Sequence, residues 1–295
     1  MKESIANTKI EQAETRDRKK QISDFITQHM LGASEGEKKE TINSTVELYN
    51  KTKEIIAPMI VAFANHVLKQ AAERNKEEKI VFVARDGIGP YNAAADLLKK
   101  FPDNYAEVTN EKLIYAYLTR KVVWNSSAES LAQYLGNLGV HAGDNVTIVD
   151  VGMYGTIIRP LKSALRGVSF NKAEYLISRT EEANGFIDDG KSKQFPIFKN
   201  IMGNPAVHFI EDTFSGPIQS PTKLEKTNGG WEPDTKDSSY PPEISAKRKF
   251  ALLAIEDYVA EMEKPEIDIK QSLKKLGEFL SNSNNFKNLM VPHEK

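Results

Sequence analysis

The 295-residue sequence contains no cysteine. That excludes a disulfide framework, a thiolate metal site and cysteine catalysis together. It also lacks an excess of charge: 40 basic side chains face 41 acidic ones, for a formal net charge of −1. Binding nucleic acid takes a clustered basic surplus to neutralise phosphates, so nucleic acid is not an expected partner. Long apolar runs are missing too. The longest, Ile55 to Leu68, is too short for a membrane span and is broken by Pro58, Asn65 and His66. The opening stretch, MKESIANTKIEQ, has no apolar core of the signal-peptide kind. No membrane association and a cytoplasmic location are therefore expected. Aromatic residues are few, at 8%, but apolar residues at 40% suffice for a packed core. A chain of this length buries about 75% of its unfolded surface and needs no staple.

What is present divides into four regions. Residues 1–76 read as a helical region. Ile22, Phe25, Ile26 and Met30 recur at helical spacing, ASEGEKKE reads as a loop, and a helix over about 43–74 carries the stripe Ile56, Ile60, Phe63, Val67, with Pro58 marking a kink or a new start. Residues 77–202 read as an α/β core. KIVFVA (79–84), KLIYAYLT (112–119), VTIVDV (146–151) and AEYLIS (173–178) are short apolar strands, each separated from the next by helical sequence. That alternation implies right-handed crossovers and a mostly parallel, Rossmann-like sheet with helical extensions at both ends. Residues 203–245, rich in Gly, Pro, Ser and Asn, read as an irregular segment covering the sheet edge. Residues 246–295 return to helical spacing at Leu252, Ile255 and Val259, then at Ile269, Leu273, Leu276 and Leu280.

In an open parallel sheet, ligands bind beyond the carboxyl ends of the strands. Three loops stand at such ends. Arg85-Asp86-Gly87 follows the first strand, and there a glycine turn and a helix start suit an anion. Thr119-Arg120-Lys121 follows the second. Two adjacent cations at a strand end need an anion or solvent. The third loop runs from Asp150 through Gly152, Tyr154 and Gly155 to Thr156. Its strand delivers Asp150 to the sheet edge, where a carboxylate suits a ribose hydroxyl or a hydrated magnesium ion. In the 203–222 segment, Phe209, Ile210 and Phe214 are candidate anchors, and Glu211 is the acid expected nearest the ligand.

Taken together, FVARDG (82–87), YLTRK (117–121) and GDNVTIVDVGMYGT (143–156) resemble a type I phosphoribosyltransferase-like fold. Where that family has two adjacent acids, this sequence has Asp150 followed by Val151. The resemblance implies a phosphorylated ribose or nucleotide ligand, magnesium, and phosphoribosyl transfer, with Asp86 and Asp150 catalytic and Asp150 on the metal. It also implies ligand contacts from Arg85, Gly87, Thr119, Arg120, Lys121, Gly152, Tyr154, Gly155, Thr156 and Glu211. A second pattern, covering roughly 55–220, is similar to bacterial proteins described as haloacid-dehalogenase-like hydrolases. It pairs Arg85-Asp86-Gly87 with Asp150 to Thr156 and a later Glu211. The position matching that fold's nucleophile holds Ala84. The alternative it implies is a phosphohydrolase. A catalytically inactive binding protein of the same fold is a third reading, with the terminal helices free for a protein partner or a second copy.

The five histidines show no pair at helical ligand spacing, so zinc is not expected. His66, among apolar residues, reads as a satisfied core histidine, and His208 as a loop residue with local hydrogen bonds.

Overall fold

The computed structural model describes residues 17–74, 77–83, 86–152, 154–178, 180–187, 209–211, 213, 215–216, 220–235, 240–287 and 289. Helix α1 (17–29) is followed by α2 (Glu35–Lys51), which starts well before the expected residue 43. The ASEGEKKE stretch is therefore helical rather than a loop. Its cause is a capping box. The Ser34 side chain accepts from the Glu37 N–H at 3.3 Å, and the Glu37 carboxylate accepts from the Ser34 N–H at 2.7 Å. A π-helical turn, Thr52–Ile56, leads into α3 (Ala57–Arg74). Pro58 has no N–H to offer the preceding turn, and its ring crowds the carbonyl four residues back. The wider π turn just before it relieves both problems.

These pieces form one continuous helix, Glu35–Arg74, which is long and apolar enough by length and composition to cross a membrane. The apolar run alone reads as too short. The difference is that the helix continues through polar residues on both sides. Of its most apolar window, 67% is buried inside the fold, as befits a core helix.

The sheet contains β1 (Glu78–Val83), β2 (Leu113–Ala116), β3 (Asn145–Asp150), β4 (Ser169–Phe170), β5 (Ala173–Tyr175) and β6 (Ala183–Gly185). Every pairing among them is parallel, in the order β2-β1-β3-β5-β6, with β4 beside the first half of β3. The fold is thus α/β with a mostly parallel central sheet, as the strand–helix alternation implies. Strand β2 stops earlier than KLIYAYLT suggests, because Thr119 leaves the sheet to cap the next helix.

Side chains alternate between two cores. Ile80 and Phe82 face a layer built from α3, α4 (Ile88–Lys100) and two C-terminal helices, α8 (Pro242–Glu261) and α9 (Ile269–Ser281). Val81 and Val83 face a thinner layer of α5 (Arg120–Asn125), α6 (Ala128–Asn137) and α7 (Ile158–Ala164). The N-terminal and C-terminal helices therefore share one core with the sheet. Helix α1 docks onto α8 through Ile22, Ile26 and Phe250, and through an Arg18–Asp257 ion pair that Tyr49 also joins.

The 203–245 segment is not irregular throughout. Strands β7 (Leu224–Thr227) and β8 (Gly230–Pro233) form an antiparallel hairpin against α6. Asn228-Gly229 at its tip is the usual chemistry of a tight hairpin turn.

Candidate functional site at the carboxyl edge of the sheet

From β1 the chain moves outward through α4 to β2, then crosses back through α5 and α6 to β3 on the other side of β1. The β1–β3 boundary is the topological switch point, where a crevice opens beyond the strand ends. Asp86 and Asp150 lie at this boundary.

The first loop is set by main-chain sterics. Gly87 is so close to the strand it leaves that a Cβ would stand 2.3 Å from the Val83 carbonyl oxygen. Only glycine fits, and the turn carries buried Asp86, 8% exposed, to the start of α4. No side chain caps that helix, so its first N–H groups and the positive end of its dipole face the same edge. Arg85 lies outside the described residues.

Asp150 ends β3 beside Tyr175 of β5. Its Oδ1 is buried and meets no hydrogen-bond partner among the described residues. Burial, then the Asp86 charge, pushes its pKa well above the usual aspartate range. The N–H groups of Gly152 and Val151 pull it back in part, and Glu211 pushes it further up. Glu211 is thus within electrostatic reach of Asp150. Two tyrosines feel the same field. Burial raises the pKa of Tyr175, and Asp150 and Asp86 add to the rise. Burial does the same to Tyr115, with neighbouring Tyr117 and Asp86 adding to it. The Tyr175 hydroxyl is also buried without a described partner.

The Gly155 loop closes one side. Gly155 has φ of +65°, and a Cβ there would sit 3.0 Å from both Ile158 Cδ1 and Thr180 Cγ2. Tyr154 and Thr156 are exposed, and a Cβ on Gly152 would stand 3.9 Å from Asp150 Oδ2. Thr156 Oγ1 accepts from Arg120 Nε at 3.2 Å. Arg120 and Lys121 are exposed at the start of α5. Thr119 has a structural task. Its hydroxyl accepts from the Val122 N–H at 3.2 Å and donates to the Pro221 carbonyl at 2.9 Å, fastening the segment that precedes β7.

Asp86 and Asp150 thus form an acidic pair with Glu211 in electrostatic reach, and the Arg120 guanidinium hydrogen-bonded to the Thr156 hydroxyl stands at the start of α5, with Lys121 next in the chain. Among the described residues no group of three or more His, Asp or Glu side chains is arranged to hold a metal by itself. His208 and Phe214 lie outside the described residues. His66 is not a core residue. It stands at the edge of α3 with Nε2 3.7 Å from Glu174. Sequence reasoning missed Tyr175, Tyr115 and Trp124. The tyrosines follow from period-2 alternation along strands that end at the site. The exposure of Trp124 has no sequence signal. No protein-family model and no curated protein sequence matches the chain.

Proposed function

We propose that the protein acts on a phosphorylated sugar or nucleotide with magnesium, and that its chemistry is phosphoester hydrolysis at the switch point. The observation that carries this reading is the juxtaposition of Asp150 and Asp86, carboxylates at the ends of neighbouring strands, with one buried oxygen of Asp150 meeting no partner among the described residues. Like charges buried together are costly unless a proton or a cation joins them. Magnesium keeps most of its water and takes one or two carboxylates plus a phosphate, so Asp86 and Asp150 suit it and the absence of a three-acid cage does not tell against it. Bound there, it would neutralise the acids and the incoming phosphate.

With Ala84 at the position of the haloacid-dehalogenase-like nucleophile, Asp86, two residues on, takes the nucleophile's role in this reading. One of its carboxylate oxygens attacks phosphorus, and the P–O bond to the leaving group breaks as Glu211 protonates the departing oxygen. Glu211 then takes a proton from water, whose hydroxide cleaves the acyl phosphate. Inorganic phosphate leaves, and both acids return to their starting states. Acids at the ends of two strands favour this over phosphoribosyl transfer, which calls for adjacent acids in one loop.

A second reading, phosphoribosyl transfer, is supported by the αL Gly155 turn and by Arg120 beside Thr156, which together suit a terminal phosphate. The test is product analysis. Incubation with p-nitrophenyl phosphate and magnesium is expected to release inorganic phosphate, lost with a chelator and in Asp86→Asn. Pyrophosphate release from phosphoribosyl pyrophosphate, with no hydrolysis of the aryl ester, would overturn hydrolysis in favour of transfer. Binding of these ligands without any turnover would make the protein a non-catalytic binder.

A further inference from the structure

Trp124 is the most exposed aromatic side chain among the described residues, at 61%, and it stands beside the site rather than on a remote face. The Arg120 guanidinium carbon lies 5.8 Å from its ring centroid while Arg120 Nε donates to Thr156 Oγ1, so ring, cation and hydroxyl are tied to the loop that follows Asp150. Lys79 and Arg159 in the same layer pair with Asp144 and Glu182, while exposed Lys162, Arg166 and Lys172 pair with no carboxylate among the described residues. Arg120 and Lys121 have no carboxylate partner among the described residues. Tyr154, 42% exposed, adds a second ring two residues before Thr156.

We propose that Trp124 is the stacking platform for an aromatic base whose phosphate is held by Arg120, so that the ligands of this site are nucleoside phosphates rather than bare sugar phosphates. The proposal rests on the reading of the switch point as a phosphate-ester site. Trp offers a large flat apolar surface with a polar N–H and is enriched at interfaces, and here it stands next to a cation and a second exposed ring. The Arg120 guanidinium over one face restricts the ring and leaves the opposite face as the one a base can stack on. The flat face matches any base through its π-system, and the unneutralised cation next to it matches the phosphate. A sugar phosphate satisfies the second requirement and lacks the aromatic plane for the first.

The test uses the full chain carrying Trp231→Phe, so that fluorescence comes from Trp124 alone. Adenosine 5′-monophosphate is expected to quench this emission on titration, and ribose 5-phosphate to bind without quenching. Trp124→Ala is expected to lower the ratio of AMP affinity to ribose 5-phosphate affinity, read by calorimetry, about five- to hundred-fold, the range base stacking supplies. Trp124→Phe should restore part of the ratio. An unchanged ratio in Trp124→Ala, absence of quenching by AMP, or failure of AMP to bind overturns the proposal. Phosphate release is measured separately. Quenching by AMP without any phosphoester turnover keeps the stacking site and removes the hydrolytic reading. Turnover of sugar phosphates with an unchanged affinity ratio does the opposite.

Discussion

Glu174 and Asp150 sit one register position apart on neighbouring strands, both buried acids, and their surroundings treat them in opposite ways. Around Glu174 the chain supplies compensation. Arg74 Nη1 donates at 3.1 Å, Asn184 Nδ2 at 3.0 Å, and His66 stands at 3.7 Å. Burial pushes its pKa up, yet the His66 and Asn184 contacts and the Arg74 charge hold it below the usual glutamate range. The same Arg74 reaches Glu78, another buried acid, at 3.5 Å. Around Asp150 the chain supplies further acids instead, and the pKa goes up. A buried carboxylate whose cation is built in is part of the scaffold. One whose surroundings are negative stores an unfavourable charge that a ligand or metal can relieve, which is why the second acid belongs to the site.

Breaking the compensated side has the largest expected effect. Arg74→Ala leaves Glu78 and Glu174 buried without their cation and should cost about 3–5 kcal/mol of stability, read by urea unfolding, while ligand affinity of the folded fraction stays as it was. On the uncompensated side the pattern reverses. Asp150→Asn should weaken binding of a phosphorylated ligand in magnesium roughly ten- to hundred-fold, about 1.5–3 kcal/mol. Its folding should not suffer. A melting temperature for Asp150→Asn as depressed as that of Arg74→Ala would end the distinction.

The two acids also predict opposite responses to pH. Glu174, with its lowered pKa, contributes stability that is present above about pH 4 and is lost as pH falls through the folded-state value. Asp150, with its raised pKa, carries a penalty that is absent below its unfolded value near pH 4 and grows as pH rises toward the folded one. Asp150→Asn should therefore melt above the wild type at pH 8, with the gap closing as pH is lowered toward 4. A gap that widens on acidification would reverse the sign assigned to Asp150.

A smaller effect is expected in the loop between these strands. Gly155→Ala should cost about 1–2 kcal/mol, since an L residue is placed in the left-handed region and its Cβ meets Ile158 and Thr180. The smallest concerns Asp96 of α4, where burial raises the pKa and Oδ2 is buried without a described partner, near Glu256 of α8, itself raised by burial and by Asp96. Asp96→Asn should raise the melting temperature about 1–2 °C at pH 8 and less at pH 5.

The parts legible in the sequence are those governed by short-range pattern. Strands β1 and β3 fall within a residue of their apolar runs, and both deliver an acid to the expected edge. Two local signals were present and outweighed by composition: Ser34 and Glu37 as a capping box despite Gly36, and Asn228-Gly229 as a hairpin tip. Other features have no local sign. Helix α3 lends Arg74 to a strand about a hundred residues further on, and only the assembled fold makes the Arg74–Glu174 pair. The same holds for the exposure of Trp124, and for His66, which reads as core from its neighbours yet faces an ion pair at the helix edge.

The continuous Glu35–Arg74 helix has a consequence for synthesis. Its apolar faces are covered by β1 and α4 and, finally, by α8 and α9, the last of which ends at Ser281. At about 5–20 residues per second, the ribosome needs roughly 10–40 s to pass from Arg74 to that point. Throughout that interval the nascent chain displays a helix apolar enough to pass for a membrane segment, with its eventual cover still unmade. The stretch that organises the finished core is thus also the one most dependent on chaperones while the chain grows, and chains that stop before α8 and α9 will aggregate through it.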